Sequence, residues 1–201
     1  MRIGPRYKIC KRLGSSIFEK CQTRSFAISK ERSAAQKGSR RSSSDYSRQL
    51  IEKQKLRLTY GLSERQFSSY VSKALESGTN PQSTLFALLE SRLDSVAYRM
   101  GLAPTRLASR QLVSHGHLIV NGKRVTIPSY QVKPGDSIQI REGSKSSGLF
   151  SGIAEKLAEY RSPSWVTFNV SEMQGVLSSL PAFSDQDSLA DIGAVFEYYT
   201  R

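Results

Sequence analysis

The chain of 201 residues is long enough for one or two domains with a buried core. Its 30 Lys and Arg against 17 Asp and Glu, a formal net charge of +13, point to a polyanionic partner. Two cysteines exclude a disulfide framework, and no apolar run is long enough to cross a bilayer.

The charge is uneven. Residues 1–60 hold 16 Lys and Arg against 4 Asp and Glu; the remainder holds 14 against 13. A basic N-terminal third on a nearly neutral body suggests an arm lying on a polyanion. No amphipathic anchor or lipid motif directs it to a membrane. Residues 1–43 have few regularly spaced apolar positions, and stretches such as Lys37-Gly38-Ser39-Arg40-Arg41-Ser42 cannot build a core. The expectation is a basic extended arm, solvated alone and ordered on RNA. An Arg- and Ser-rich, acid-poor start also fits an organellar transit peptide.

Ser44 or Asp45 caps a helix running to about Tyr60, which Gly61 ends. Arg48, Lys53, Lys55 and Arg57 stud it. They read as a charged outer face offset by Glu52, or as an RNA contact; the excess of positive charge favours the contact. Ser63-Glu64-Arg65-Gln66 is a capping box. Phe67, Tyr70, Val71, Ala74 and Leu75 follow as a core-facing stripe, and Gly78 ends that helix. Asn80-Pro81 precedes a helix expected to run unbroken from about Ser83 to Met100. In it, Leu89, Leu93, Val96, Ala97 and Met100 recur at helical spacing and Gly101 is the stop. Thr105 caps a second helix to about Ser114. Arg92 and Arg99, and then Arg106 and Arg110, lie off the apolar stripe. Their guanidiniums are expected to stand free for phosphate oxygens, so that losing Arg110 costs RNA affinity and not stability.

His115-Gly116-His117 forms a corner whose backbone N–H groups could face an anion. Asn121-Gly122 between apolar runs is a hairpin signal. Lys133-Pro134-Gly135-Asp136 is a second turn, with Asp136 a turn residue first, and Ser137 to Arg141 alternate as a strand. Residues 142–148 read as a flexible joint, and Ile153, Leu157 and Tyr160 as a short helix. Trp165, a structural anchor, opens a strand through Val170. Gln174-Gly175 suggests a turn, Asp185 to Asp191 an acidic exposed stretch, and Ala194 to Tyr199 a terminal strand. Asp94 reads as a cap or partner of an arginine. No Gly-rich phosphate loop, paired metal spacing or nucleophile motif is present.

Several ordered motifs carry a resemblance. They are Glu52-Lys53-Gln54-Lys55 with Tyr60-Gly61, Arg92-Leu93-Asp94, Ala108 to His117, and Val120-Asn121-Gly122-Lys123 with Ile127-Pro128-Ser129-Tyr130. The region 92–149 resembles the S-four RNA-binding module, and the wider chain resembles the small-subunit ribosomal protein S-four family of bacteria and organelles. The resemblance implies an α+β fold: a basic N-terminal arm (1–43) and a mainly helical domain (44–91, rejoined by 150–201) with a small αα-plus-β-sheet RNA-binding module inserted at 92–149. It implies RNA contacts at Lys53, Lys55, Arg57, Arg92, Arg99, Arg106, Arg110, Gln111, His115, His117, Asn121 and Lys123, with no catalytic residue and no cofactor. Asn121 also reads as a residue serving only its turn.

The resemblance further implies binding to a multi-helix junction in the 5′ region of small-subunit rRNA. A contact with ribosomal protein S-five that influences decoding accuracy, a place near the path by which mRNA enters, and a location in the small subunit, bacterial before plastid, also follow from it. The start Ile3-Gly4-Pro5-Arg6-Tyr7 resembles the mature family and argues against a cleaved leader. Some members hold a four-cysteine zinc knot here; on spacing, this chain has Tyr7 and Cys10, then Cys21 and Phe26. Half the ligands are missing, so no metal is expected, and Tyr7 and Phe26 are expected to pack against each other in its place. Two further readings are an RNA-modifying enzyme fragment, for which too little chain follows the module, and a free-standing stress factor on stalled ribosomal subunits.

Overall fold

The computed structural model describes residues 3–14, 17–35, 44–78, 80–150, 152, 153, 155, 157, 160–183 and 190–201, with backbone only at 30 and 33–35. In chain order its elements are α1 (Arg6–Leu13), a 3-10 turn (Glu19–Cys21), α2 (Arg24–Ala35), α3 (Asp45–Thr59), α4 (Glu64–Glu76), α5 (Pro81–Glu90), α6 (Leu93–Arg99), α7 (Arg106–Ser114), β1 (Leu118–Val120), β2 (Lys123–Arg124), β3 (Ser137–Ile140), α8 (Glu142–Lys145), β4 (Val166–Asn169), β5 (Gln174–Leu177) and α9 (Ile192–Tyr199). The fold is α+β. The chain divides into two compact units, Met1–Gln82 with Phe183–Arg201, and Ser83–Ala182.

In the first unit, the described residues between 6 and 35 form two helices and a 3-10 turn, not an extended arm. Cys10, Leu13, Ile17, Phe18, Cys21 and Phe26 bury themselves with Leu58 of α3 in one cluster. These apolar residues sit on three short elements, so no single period runs through them. Tyr7 and Phe26 stack at 5.5 Å, as expected, beside the two buried free thiols. The basic run 37–43 lies outside the described residues.

The α3 start is closed by Ser44, whose hydroxyl accepts from Ser47 N–H at 3.3 Å. Gly61 takes the positive φ (61°) that ends the element. Both halves of the Ser63–Gln66 capping box are made. Phe67, Val71 and Ala74 bury one face of α4, Tyr70 is half-buried, and Leu75 falls off the edge of the stripe into solvent. The chain end 194–199 is helical, not a strand: Asp191 Oδ1 accepts from Ala194 N–H and starts α9. That helix packs on α3 through Gln49–Glu197 and the Tyr46–Tyr198 pair. Of the acidic stretch, residues 185–189 lie outside the described residues.

In the second unit, the expected continuous helix is broken at Ser91-Arg92. Arg92 is extended (φ −66°, ψ 139°) and bridges Gln131. Leu93 N–H donates to Tyr130 carbonyl, Asp94 N–H to Pro128 carbonyl, and Val132 N–H to Ser91 carbonyl. The 128–132 segment thus takes up backbone groups that a continuous helix would have used itself. Thr105 caps α7 by accepting from Ala108 N–H, as its sequence suggests. Asn121 (φ 49°) and Gly122 (φ 77°) make the hairpin turn.

The sheet order is β2-β1-β3-β5-β4, with every neighbour antiparallel. Leu118, Val120, Ile138 and Ile140 face a core completed by Leu93, Val96, Met100, Val113, Trp165 and Leu177. Residues 150–182 therefore belong with the sheet and not with the helical part, because β5 pairs with β3. The β4–β5 connection turns at Met173 (φ 52°), not at Gly175, which lies inside β5. A Cβ on Gly175 would meet the Thr167 carbonyl at 2.7 Å, which explains glycine there. The expected flexible joint contains α8, whose Ser144 is buried. The short helix expected at 153–160 falls partly outside the described residues.

Candidate nucleic-acid interface

α6 and α7 hold four guanidiniums over two carboxylates. Arg92 donates from Nε and NH2 to the two oxygens of Asp94, at 3.0 and 2.8 Å. Arg110 donates from Nε to Oδ2 of the same Asp94 at 2.9 Å. Arg99 grips Glu90 with two bonds, 3.0 and 2.8 Å. Arg106 shares Glu90 Oε1 at 2.8 Å, reaches Ser95 Oγ and lies 4.8 Å from the Tyr98 ring centre. Each carboxylate thus serves two arginines, so four guanidiniums converge on two carboxylates.

This corrects the expectation of free guanidiniums. Arg92 and Glu90 are fully enclosed, at 2% and 0% exposure, and a charge enclosed in that way needs a partner. The side chains of Arg99, Arg106 and Arg110 stay 23%, 14% and 25% open, so these three guanidiniums reach the solvent side. Glu90 escaped sequence reading because it stands nine and sixteen residues from its partners. A lone carboxylate closing the apolar run Leu85-Phe86-Ala87-Leu88-Leu89 was the available signal, since such a group has to find a cation.

The corner after α7 does not present N–H groups to an anion. His115, Gly116 and His117 N–H are spent on carbonyls of Gln111, Val113 and Leu112. A helix C-terminus offers carbonyls and attracts cations, and Arg124 answers it, donating to Gly116 and His115 carbonyls at 3.2 and 3.0 Å. Sequence reading missed Arg124, which the hairpin folds back onto α7. His117 Nδ1 pairs with Ser144 Oγ at 2.9 Å. Burial, then His115, Arg141 and Arg124, push the His117 pKa down, so its ring is neutral at pH 7. Gln111, His115 and Lys123 are exposed. Asn121 spends its amide on Asp136 Oδ1 and Ser137 N–H, a clip between two turns.

The basic positions of α3 are also paired. Lys53 is enclosed, at 4% exposure; it sits 2.8 Å from Glu64 Oε1 and 4.4 Å from the centre of the Tyr198 ring. Lys55 holds Glu52 at 2.6 Å, and Arg57 holds Gln54 Oε1 with Glu64 Oε2 at 3.4 Å. Packing of α9 on this helix encloses Lys53; no spacing within α3 signals that. No group of three His, Cys, Asp or Glu among the described residues could hold a metal.

Two family models cover consecutive stretches: "Ribosomal protein S4/S9 N-terminal domain" matches residues 1–90 and "S4 domain" residues 91–138. The chain is 41% identical over 202 residues to small ribosomal subunit protein uS4 of Wigglesworthia glossinidia brevipalpis, covering 99% of this chain and 98% of the relative. It is 43% identical over 204 residues to the protein of that name from Chromobacterium violaceum, with the same coverage. The relative from Roseiflexus castenholzii is 40% identical over 205 residues, again covering 99% of this chain and 98% of its own. Matches of this length and identity, over a module built on two carboxylates and four arginines, establish that the chain belongs to the small ribosomal subunit protein uS4 family.

Proposed function

We propose that this protein is a non-enzymatic structural component of the small ribosomal subunit that binds and organises folded small-subunit rRNA. The observation that carries the reading is the set of partly open guanidiniums of Arg99, Arg106 and Arg110 on α6 and α7, each held in place by a buried carboxylate. Arginines fixed in that way meet phosphates with little ordering cost. Arg99, Arg106 and Arg110, with Gln111, His115 and Lys123, form the RNA-facing set. Arg92 and Lys53 act as enclosed positioning residues, Asn121 as a clip between two surface turns, and Lys55 and Arg57 contribute from α3. Recognition is of shape and backbone more than of base sequence, as for folded RNA in general.

The RNA target is a multi-helix junction in the 5′ region of the rRNA, and binding there supports assembly and decoding accuracy. Neighbours are other small-subunit proteins, S-five among them, with the mRNA path close by. A bacterial cytoplasmic setting fits the bacterial relatives quoted above. The test is binding to a transcript of the 5′ domain of small-subunit rRNA across a salt series. The logarithm of affinity should fall linearly with the logarithm of salt, with a slope for several phosphates. A flat response, or no discrimination between the folded transcript and an unfolded RNA of equal length, would reject it.

A further inference from the structure

One face of α7 lines a groove of about 220 Å³. Ala108, Leu112 and Leu149 are among its apolar lining residues, and Gln111, His115 and His117 are its polar ones. We propose that it receives a single unstacked nucleobase of the RNA; this rests on the RNA-binding reading above and adds a base-specific contact to it.

The size and chemistry agree. Pockets for drug-sized molecules run from roughly 300 to 1,000 Å³, so this one suits a single ring system. His115 and His117 stack with ring centres 6.0 Å apart and planes inclined by 18°, offering an imidazole face on which a base can lie. The Ser144 hydrogen bond holds the inner ring in place. Gln111 and His115 are exposed, and neither side chain is spent on a hydrogen bond among the described residues. The amide of Gln111 therefore has both a donor and an acceptor for the edge of a base.

The surroundings select a nucleotide over a greasy side chain. Among the described residues, no acidic side chain lines the groove. Arg124 and Arg141 lie close enough to His117 to disfavour its protonation. A base in the groove would bring its phosphates into that positive field. RNA-binding surfaces read single-stranded positions by this combination of stacking and edge contact.

The experiment compares wild type with Ala108→Phe, which adds bulk to the lining without changing charge, and with the exposed-site changes Gln111→Ala and Leu149→Asp. Each is bound to the 5′-domain transcript with base-resolved chemical probing and a salt series. Wild type should protect one unpaired base. Each variant should re-expose that base, and Ala108→Phe should bind about tenfold more weakly, a typical loss for one stacked base, with its salt slope unchanged. Unfolding midpoints establish that the variants are folded; if Ala108→Phe is not, the two exposed-site variants decide. If wild type binds and folded variants keep full affinity and the same footprint, the base site is wrong while the RNA-binding reading stands. If wild type does not bind the transcript, the RNA-binding reading falls and the base site with it.

Discussion

Arg99 and Glu90 form a two-pronged pair, at 3.0 and 2.8 Å, in which the carboxylate is wholly enclosed and the guanidinium reaches partly into solvent. Arg106 joins the same oxygen from α7, so one carboxylate ties α5, α6 and α7 together. The arrangement answers two demands at once: it neutralises a charge the core cannot tolerate, and it fixes arginines on the surface.

Glu90→Gln should therefore destabilise the protein by roughly 3–5 kcal/mol, the usual cost of breaking an enclosed ion pair from one side. Urea unfolding midpoints measure it. A midpoint within experimental scatter of wild type would mean that the arginines are satisfied without Glu90.

Arg110→Ala should cost both binding and stability. Its guanidinium is the second partner of Asp94, and a hydrogen bond to a charged group contributes about 1.5–3 kcal/mol. Because Arg92 remains on Asp94, the lower end of that range is expected, about 1.5 kcal/mol. The slope of log affinity against log salt should fall by about one phosphate contact. An unchanged unfolding midpoint would return Arg110 to the free role its sequence position suggested.

Stability should also decline in acid through Glu64. Burial raises its pKa, but hydrogen bonds from Lys53 and Tyr199 and the nearby Arg57 outweigh that and hold it below the usual carboxylate range. With a folded pKa beneath the unfolded value of about 4.3, its contribution is present above that pH and is lost as pH falls through the folded value. Glu64→Gln should be weaker than wild type at pH 7 and lose less between about pH 5 and 3, read from urea midpoints across pH. Equal acid losses in both proteins would place the sensitivity elsewhere.

The thiols of Cys10 and Cys21 should be inert in the folded protein. Both are buried, and Cys21 is pushed up to about 12, first by burial and then by its contact with Cys10. A disulfide reagent at pH 8 should label neither until denaturant is added, because the thiolate is the reacting form. Rapid labelling of native protein, followed by absorbance, would contradict the packing of α1 against the 3-10 turn.

By itself the sequence determined what is local. Ser44, Ser63 and Thr105 mark helix starts because a side-chain oxygen needs only the next turn's N–H groups. Asn121-Gly122 marks a hairpin because positive φ at both positions is a property of those residues alone. The ordered motifs carried the family as well. Tertiary structure decided what depends on partners distant in the chain. It broke the helix at Arg92, where residues 128–132 compete for its backbone groups. It gathered Cys10, Leu13, Ile17, Phe18, Cys21 and Phe26 into one apolar cluster with Leu58, drew α9 over Lys53, and set four arginines on two carboxylates. Burial and ion pairing are properties of three-dimensional neighbourhoods, so no spacing along one helix could disclose which cations would be enclosed and which left facing water.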